Sequence, residues 1–388
     1  MEQLSSTELK NLVKSVFPPF QEDKRLAVIV DIPNTDSEDN KNWAVRRDLA
    51  YDWFLKLKDS ASDLGLEDVH LIAYQSVMNN NADLPETACI VKDQLPSLST
   101  QLENSGDIIT FRSLFETHQL FMAPTENSTT APLKNAARIH GFRGATMPGF
   151  SPKMIPALRI DFNEVSRRVG LIKEKVDKAE TARVDFYVEG HSVCQMIFDL
   201  RFRKGHLSSG QLSVKGTAGN APSGETYIVP YEGERDGIPS KTRGTLPVQE
   251  GEALLFFKIE ENQAVRVVGE PGKPDHDILI KEKDHLKREP AYGNMAELGF
   301  GVLSDFGLSP IGEILLDEKL GFHVAFGRSE HFGGITGPAQ FSGPDEVIHL
   351  DRIYIPGCQP KIKVKLLQLE YPDGSYEDIM ADGTYLVF

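Results

Sequence analysis

The stretch Leu26-Ala-Val-Ile-Val-Asp-Ile32 is an almost continuous run of apolar residues, interrupted by one aspartate. It is followed by the loop residues Pro33 and Asn34, and then by a long helical pattern over about 43–64. Strands that are apolar on both faces need helices on both sides, as in parallel sheets. The stretch therefore predicts an N-terminal α/β domain that is built on a parallel sheet.

Further patterns extend this domain to about residue 178. They predict two more strands and two more helices, over 69–74, 107–111, 131–139 and about 152–179. The rest of the chain contains many short strand patterns separated by turn residues. The predicted fold class is α/β, with an N-terminal parallel-sheet α/β domain over 1–178 and a strand-rich α+β domain over 179–388.

The composition sets limits on partners and location. The chain has 388 residues, a formal net charge of -15 at pH 7 and three cysteines without paired spacing. The acidic balance argues against a nucleic-acid partner, because such proteins carry a basic footprint. The N-terminus lacks a secretory pattern, and no apolar run reaches the length of a membrane span. A cytoplasmic protein of two domains, without a disulfide framework or a membrane partner, is therefore expected.

Acidic and imidazole side chains are dispersed over the C-terminal half in short motifs. Four carboxylates balance the charge of two divalent cations, and two imidazoles add neutral donor atoms. Hydrolases hold such ions about 3.5 to 4 Å apart and use them to activate water. The set therefore indicates metal-assisted hydrolysis. The six candidate metal ligands are Glu225, Glu297, Glu318, His323, His349 and Asp351.

The local patterns show how these side chains can converge. The sequence around His349 and Asp351 alternates as a strand should, so both side chains face the same way. The five-residue offset between Glu318 and His323 fits neither one helix face nor one strand face. Their convergence requires a turn of the chain between them, which Gly321 permits.

Each candidate also has an ordinary structural explanation. An unpaired carboxylate is costly in an apolar environment such as that of Glu297, so a metal or a cationic side chain is expected there. The structural alternatives are a plain turn at Glu225, a cationic partner for Glu297, a surface pair of Glu318 with Lys319, and a hydrogen bond between His349 and Asp351.

The ordered motifs resemble those of the metal-dependent aminopeptidase family that includes aminopeptidase T and aminopeptidase S. The shared features are Asn-x-Pro-Ser/Thr-Gly-Glu, Ala-Glu-Leu-Gly, a Glu five residues before the His of His-x-Ala-x-Gly, and a final His-x-Asp. The resemblance covers about residues 180–388. Carried over by position, it implies that the six candidates are ligands of a two-metal site in a C-terminal catalytic domain.

The resemblance also implies further properties of the protein. It implies an enzyme that hydrolyses N-terminal peptide or aminoacyl amide bonds, with two ions of zinc, cobalt or magnesium as cofactors. The substrate would be a peptide or a related small molecule, and the protein would be a homodimer.

Three more residues are candidates for catalytic or substrate-binding roles next to the metal ions. The family pattern has a tyrosine shortly after His-x-Ala-x-Gly, whereas this chain continues with Arg328-Ser-Glu-His331. His331 and Tyr354 are therefore candidates for a catalytic group that stabilises the oxyanion or protonates the leaving amine. Arg328 is a candidate for binding a substrate carboxylate. Strand parity turns Tyr354 away from the ligand face, and His331 can equally be an exposed loop residue.

Two other functions use part of the same residues. His323, His349 and Asp351 can form the facial triad of a mononuclear non-heme iron enzyme. The aminopeptidase fold family also resembles a ring-cleaving dioxygenase that acts on dihydroxypyridine. That enzyme uses such a triad. The three remaining glutamates argue for two metals instead. A catalytically silent metal-binding dimer is the third possibility.

Overall fold

The protein is described by a computed structural model, which covers residues 2–273 and 276–388. The helices are α1 (Ser6–Val16), α2 (Lys41–Asp59), α3 (Leu102–Ser105), α4 (Phe111–Thr117), α5 (Thr130–His140), α6 (Phe162–Val176), α7 (Asp277–Arg288) and α8 (Ile314–Asp317). The strands are β1 (Arg25–Ile32), β2 (Asp68–Gln75), β3 (Thr87–Val91), β4 (Gly106–Thr110), β5 (Leu120–Ala123), β6 (Arg143–Thr146), β7 (Thr181–Val188), β8 (Cys194–Asp199), β9 (His206–Ser208), β10 (Thr217–Asn220), β11 (Glu225–Ile228), β12 (Arg243–Glu250), β13 (Ala253–Glu260), β14 (Gln263–Val268), β15 (Met295–Gly301), β16 (Phe322–Gly327), β17 (His349–Ile353), β18 (Ile362–Glu370), β19 (Tyr376–Ala381) and β20 (Thr384–Tyr385).

The chain folds into two compact units, each made of two segments. Unit 1 contains Met1–Ser166 and Ser208–Ser223, and unit 2 contains Arg167–Leu207 and Gly224–Phe388. The chain thus passes from one unit to the other three times. The predicted boundary after residue 178 differs from these limits, because residues 167–178 belong to unit 2 and residues 208–223 return to unit 1.

Unit 1 is built on a seven-stranded sheet with the order β10-β6-β5-β1-β2-β3-β4. The central strand β1 is buried along all but its first residue, as its apolar sequence requires. Strands β10, β6, β5, β1 and β2 are parallel. Strands β3 and β4 pair antiparallel at one edge. The predicted α/β fold class is confirmed, and its sheet is mixed at this edge.

Two histidines of unit 1 form a partly buried pair. Nδ1 of His70 lies 2.8 Å from Nε2 of His118. His118 is 3% exposed, and burial together with its neighbour His70 lowers the pKa of His118 to about 4. Its imidazole is therefore neutral in the folded protein near pH 7.

The helix predicted over 152–179 is interrupted. The structure has a 3₁₀ helix over Pro152–Leu158 with Pro156 inside it, and α6 begins later. Proline cannot donate the backbone hydrogen bond that a continuous α-helix needs. Oδ1 of Asp161 accepts the N–H of Asn163 at 2.9 Å, which starts the new helix.

Unit 2 contains two sheets that pack through aromatic side chains. Their strand orders are β17-β16-β15-β11-β9 and β14-β13-β12-β8-β7-β18-β19-β20. Phe326 of the five-stranded sheet lies 5.0 Å from Phe257 of the eight-stranded sheet, measured between ring centroids. Within the described residues, none of the helices is long and apolar enough to cross a membrane.

Candidate metal centre

Strands β15, β16 and β17 present their polar side chains on one face of the five-stranded sheet. Glu297 pairs with Ala325, and Ala325 pairs with Asp351, so these three side chains share a face. Residues two positions away on a strand share that face as well. His323 on β16 and His349 on β17 therefore join it, and the predicted common face of His349 and Asp351 is found.

The opposite face of β15 and β16 is apolar and fixes the register. Leu298 and Phe300 alternate with the residues of the polar face, and both are fully buried. Val324 and Phe326 do the same on β16. A slip by one residue would exchange the two faces and place a carboxylate in the core. The alternation in Ala-Glu-Leu-Gly-Phe-Gly thus directs Glu297 to the polar face.

Two glycines keep space open on the polar face. A Cβ on Gly299 would lie 1.9 Å from Nε2 of His323, so the imidazole occupies the space above this glycine. A Cβ on Gly301 would lie 2.4 Å from the carbonyl carbon of Lys319. The backbone turn that carries Lys319 therefore rests directly on β15.

Glu225, Glu297 and His323 form a first group of donor atoms. Nε2 of His323 lies 3.3 Å from Oε1 of Glu297 and 3.6 Å from Oε2 of Glu225. Nδ1 of His323 is 3.0 Å from the carbonyl oxygen of Gly321, which directs Nε2 toward the acids. Within the described chain, Oε2 of Glu225 is buried without a hydrogen-bond partner. The three side chains are close enough to hold one metal ion.

Glu297 also belongs to a second group, with His349 and Asp351. Nε2 of His349 lies 3.2 Å from Oε2 of Glu297 and 3.7 Å from Oδ1 of Asp351. Nδ1 of His349 is 2.8 Å from the carbonyl oxygen of Arg328. The two oxygens of Glu297 thus face different histidines. A carboxylate in this position can bridge two ions.

Glu318 reaches the site through its neighbour Lys319. Nζ of Lys319 lies 2.5 Å from Oε1 of Glu225 and also contacts Oε1 of Glu318. Lys319 is 3% exposed, so the predicted surface pair with Glu318 is buried. The chain turns between Glu318 and His323 through the 3₁₀ turn Glu318–Leu320, and the following Gly321 is extended, with a φ of -169°. It is needed because a Cβ would lie 2.4 Å from Cγ2 of Ile355.

The electrostatics of the site differ between its acids. Burial alone would raise the pKa of Glu297, but hydrogen bonds with His323 and His349 lower it to about 2. Burial opposes a charge on His323, yet Glu297 and the other acids raise its pKa to about 9. For Glu318, burial outweighs the attraction of Lys319 and raises the pKa to about 8. A cation that bound here would therefore displace protons.

The structure places Tyr354, which the sequence offers as a catalytic candidate, in a buried position. Its hydroxyl donates to the carbonyl oxygen of Pro247 at 2.9 Å, and the side chain is 3% exposed. Its ring packs 4.7 Å from that of Phe186, between the two sheets. Tyr354 therefore contributes to the core, as its strand parity indicates.

His331 and Arg328 lie beside the second donor group. His331 is exposed on one side, and its ring is 5.4 Å from that of His349. Partial desolvation, together with the charges of His349 and Arg328, lowers the pKa of His331 to about 4. Nε of Arg328 donates to Oε2 of Glu330 at 2.7 Å. The Arg328 guanidinium is thus paired within the chain, while its carbonyl oxygen faces His349.

Tyr227 is a residue of the polar face that the motifs do not reveal. It pairs with Gly299 and lies two positions after Glu225, so it points to the same side. Its ring lies 4.7 Å from that of Phe332. Burial and the charge of Glu297 raise its pKa. Strand alternation from Glu225 is the signal in the sequence that would have identified it.

Glu232 is a second residue without a motif, and it fixes the loop that carries His331. Its carboxylate accepts the hydroxyl of Ser329 and the amide of Asn294, each at 2.6 Å. It also accepts the backbone N–H of Ile335. The loop over 329–336 is thereby held beside the donor groups.

The chain shares its fold with two solved enzymes. One is 2,5-dihydroxypyridine dioxygenase from Pseudomonas putida KT2440, with a TM-score of 0.59 and 14% identity over 99% of both chains. The other is AmpT, an aminopeptidase T, from Thermus thermophilus, with a TM-score of 0.54 and 12% identity over 98% of both chains. No protein-family model and no curated protein matches the sequence. At these identities the similarity shows the fold.

Proposed function

We propose that the protein is a metal-dependent aminopeptidase that removes N-terminal residues from peptides or cleaves aminoacyl amides. The observation that supports this proposal is the position of Glu297 between two donor groups. A shared carboxylate is the arrangement by which hydrolases hold two ions side by side. The fold of AmpT is consistent with this function.

The residues present fit such an ion pair. One ion would be held by Glu225, Glu297 and His323, and the other by Glu297, His349 and Asp351. The unpartnered Oε2 of Glu225 supports the fit, because a buried carboxylate oxygen without a donor is costly. Glu318 would complete the set if it exchanged Lys319 for a metal. Zinc, cobalt and magnesium all remain candidates.

In this reaction, the side chains of the protein would orient the metal ligands, transfer a proton and bind the substrate. When bound, the ions polarise the scissile carbonyl and lower the pKa of a water molecule. The contacts of Nδ1 of His323 and His349 with backbone carbonyls fix both imidazoles, with Nε2 toward the acids. The neutral imidazole of His331 would accept a proton from the attacking water and pass it on to the leaving amine. Arg328 can bind a substrate carboxylate after exchange with Glu330.

The function is tested with metal-free protein and a panel of aminoacyl p-nitroanilides. Addition of Zn²⁺, Co²⁺ or Mg²⁺ is expected to restore turnover, with two ions bound per chain. Glu297→Gln should abolish turnover and reduce the binding of both ions, because the residue serves both groups. Bound ions without turnover of any peptide or amide would instead support a silent metal-binding protein. The homodimer is tested by light scattering of the purified chain.

A mononuclear iron dioxygenase is the second candidate. It is favoured by the TM-score of 0.59 with the dihydroxypyridine dioxygenase, and by the pairing of Glu225 with Lys319, which leaves fewer acids for a second ion. Its triad would be His323, His349 and Asp351, although the two histidines fall in different donor groups. Oxygen consumption with Fe²⁺ and 2,5-dihydroxypyridine distinguishes the two functions.

A further inference from the structure

A lysine ammonium occupies one half of the candidate metal centre. Nζ of Lys319 contacts Glu318 and lies 2.5 Å from Oε1 of Glu225. The Lys319 side chain is 4% exposed, and that of Glu225 is 6% exposed. Water therefore does not screen this pair, and the ammonium neutralises part of the acidic charge in this half.

The backbone holds Lys319 in place. The turn Glu318–Leu320 rests on β15 at Gly301, where a side chain would collide with it. Gly301 is also the direct partner of Glu225 in the sheet. The hydroxyl of Ser304 donates to the carbonyl oxygen of Leu320 at 2.5 Å. The register of the sheet and the turn thus bring Nζ to Glu225.

In the other half of the site, the acids pair with histidines and not with a lysine. In the described part of the chain, the ion pairs of Glu297 and Asp351 are with the histidines 323 and 349. An imidazole binds a metal once it has lost its proton, whereas the ammonium of Lys319 has no lone pair to donate. A cation that enters the half of Glu225 must therefore displace Lys319, and a cation that enters the half of Asp351 need not.

We propose that Lys319 makes the two ion sites unequal, so that the first ion binds at Glu297, His349 and Asp351. The second ion binds at Glu225, Glu297 and His323 after Lys319 has left Glu225. This inference rests on the proposed metal centre. An ammonium a few ångströms from a divalent ion, at the effective dielectric constant of protein sites, weakens the second step by at least about 100-fold.

Calorimetric titration of the metal-free full-length protein with Co²⁺ tests the inference. The wild type is expected to bind two ions in steps at least about 100-fold apart. In Lys319→Met, which is neutral and of similar length, the gap should shrink to about tenfold or less. In Lys319→Arg, which keeps the cation, the gap should remain.

Thermal melts give a second readout that does not depend on turnover. Without metal, Lys319→Met should melt at a lower temperature than the wild type, because the buried Glu225 loses its counter-charge. Saturation with Co²⁺ should raise its Tm by more than it raises that of the wild type. An equal rise in Tm for both proteins would contradict the role of Lys319.

Two further variants assign the steps and apply even if Lys319→Met does not fold. Asp351→Asn should remove the tight step and leave the weak one, whereas Glu318→Gln should leave the tight step unchanged. Loss of the weak step in Asp351→Asn would overturn the proposed order. Two equal steps in the wild type would overturn the role of Lys319 alone. A wild type that binds no ion would overturn the metal centre itself.

Discussion

Substitution of Gly299 by alanine tests the geometry of the polar face most directly. The added methyl would lie 1.9 Å from Nε2 and 2.1 Å from Cε1 of His323. An ordinary contact is about 3.5 Å, so the imidazole must move by about 3.5 − 1.9 = 1.6 Å. His323 is 1% exposed and its Nδ1 is bound to Gly321, so this movement strains the packing around it. Overpacking of this kind costs about 1 to 3 kcal/mol of unfolding free energy.

The same displacement would remove His323 from the proposed metal centre, because metal bonds tolerate changes of only about 0.2 Å. Binding of one of two Co²⁺ ions should weaken by about 100-fold or more. Denaturant unfolding without metal and calorimetry with Co²⁺ measure the two effects. Gly170→Ala on α6 is the matched control, since its methyl meets nothing within 4 Å. It should leave both steps unchanged. Wild-type stability and two intact steps in Gly299→Ala would refute the geometry.

Three further predictions concern stability and the role of single groups. Because the folded pKa of His118 is about 4 and that of a free imidazole is about 6.5, its contribution is complete above pH 6.5 and is lost toward pH 4. The loss is about 3 kcal/mol, and melts between pH 4 and 7 should show a smaller slope for His118→Gln. Tyr354→Phe removes the hydrogen bond to Pro247 and should cost about 1 kcal/mol without a change in Co²⁺ affinity or turnover; a fall in turnover at unchanged Co²⁺ affinity would restore a catalytic role. Glu232→Ala should cost roughly 3 kcal/mol and speed amide hydrogen exchange over 329–336, and unchanged exchange there would show that the loop is fixed by other contacts.

Local sequence patterns predicted the elements of unit 1 better than their pairing. The apolar run over 26–32 forms β1, and the helical pattern that follows it forms α2. The antiparallel edge formed by β3 and β4 was not predictable, because strand direction depends on which distant segment lies beside it. The return of residues 208–223 to unit 1 is non-local in the same way.

The site was predictable where strand alternation sets the direction of a side chain. This holds for His349 and Asp351, which occupy alternate positions on β17, and for Glu297, which lies between the apolar residues Ala296 and Leu298 on β15. The burial of Lys319 was not predictable, since it depends on how closely its turn approaches Gly301. A charged residue next to an acid in sequence gives no signal of whether water surrounds the pair.

The three crossings between the units restrict how the chain can be divided. A fragment that ends at residue 178 lacks β10, which pairs with β6 over residues 143–146. Strand β6 would then become an uncovered border of the sheet, with free N–H and C=O groups that favour self-association. Removal of the C-terminal half would therefore yield an incomplete N-terminal unit that tends to aggregate. A soluble fragment would have to include residues 208–223, connected through a designed linker.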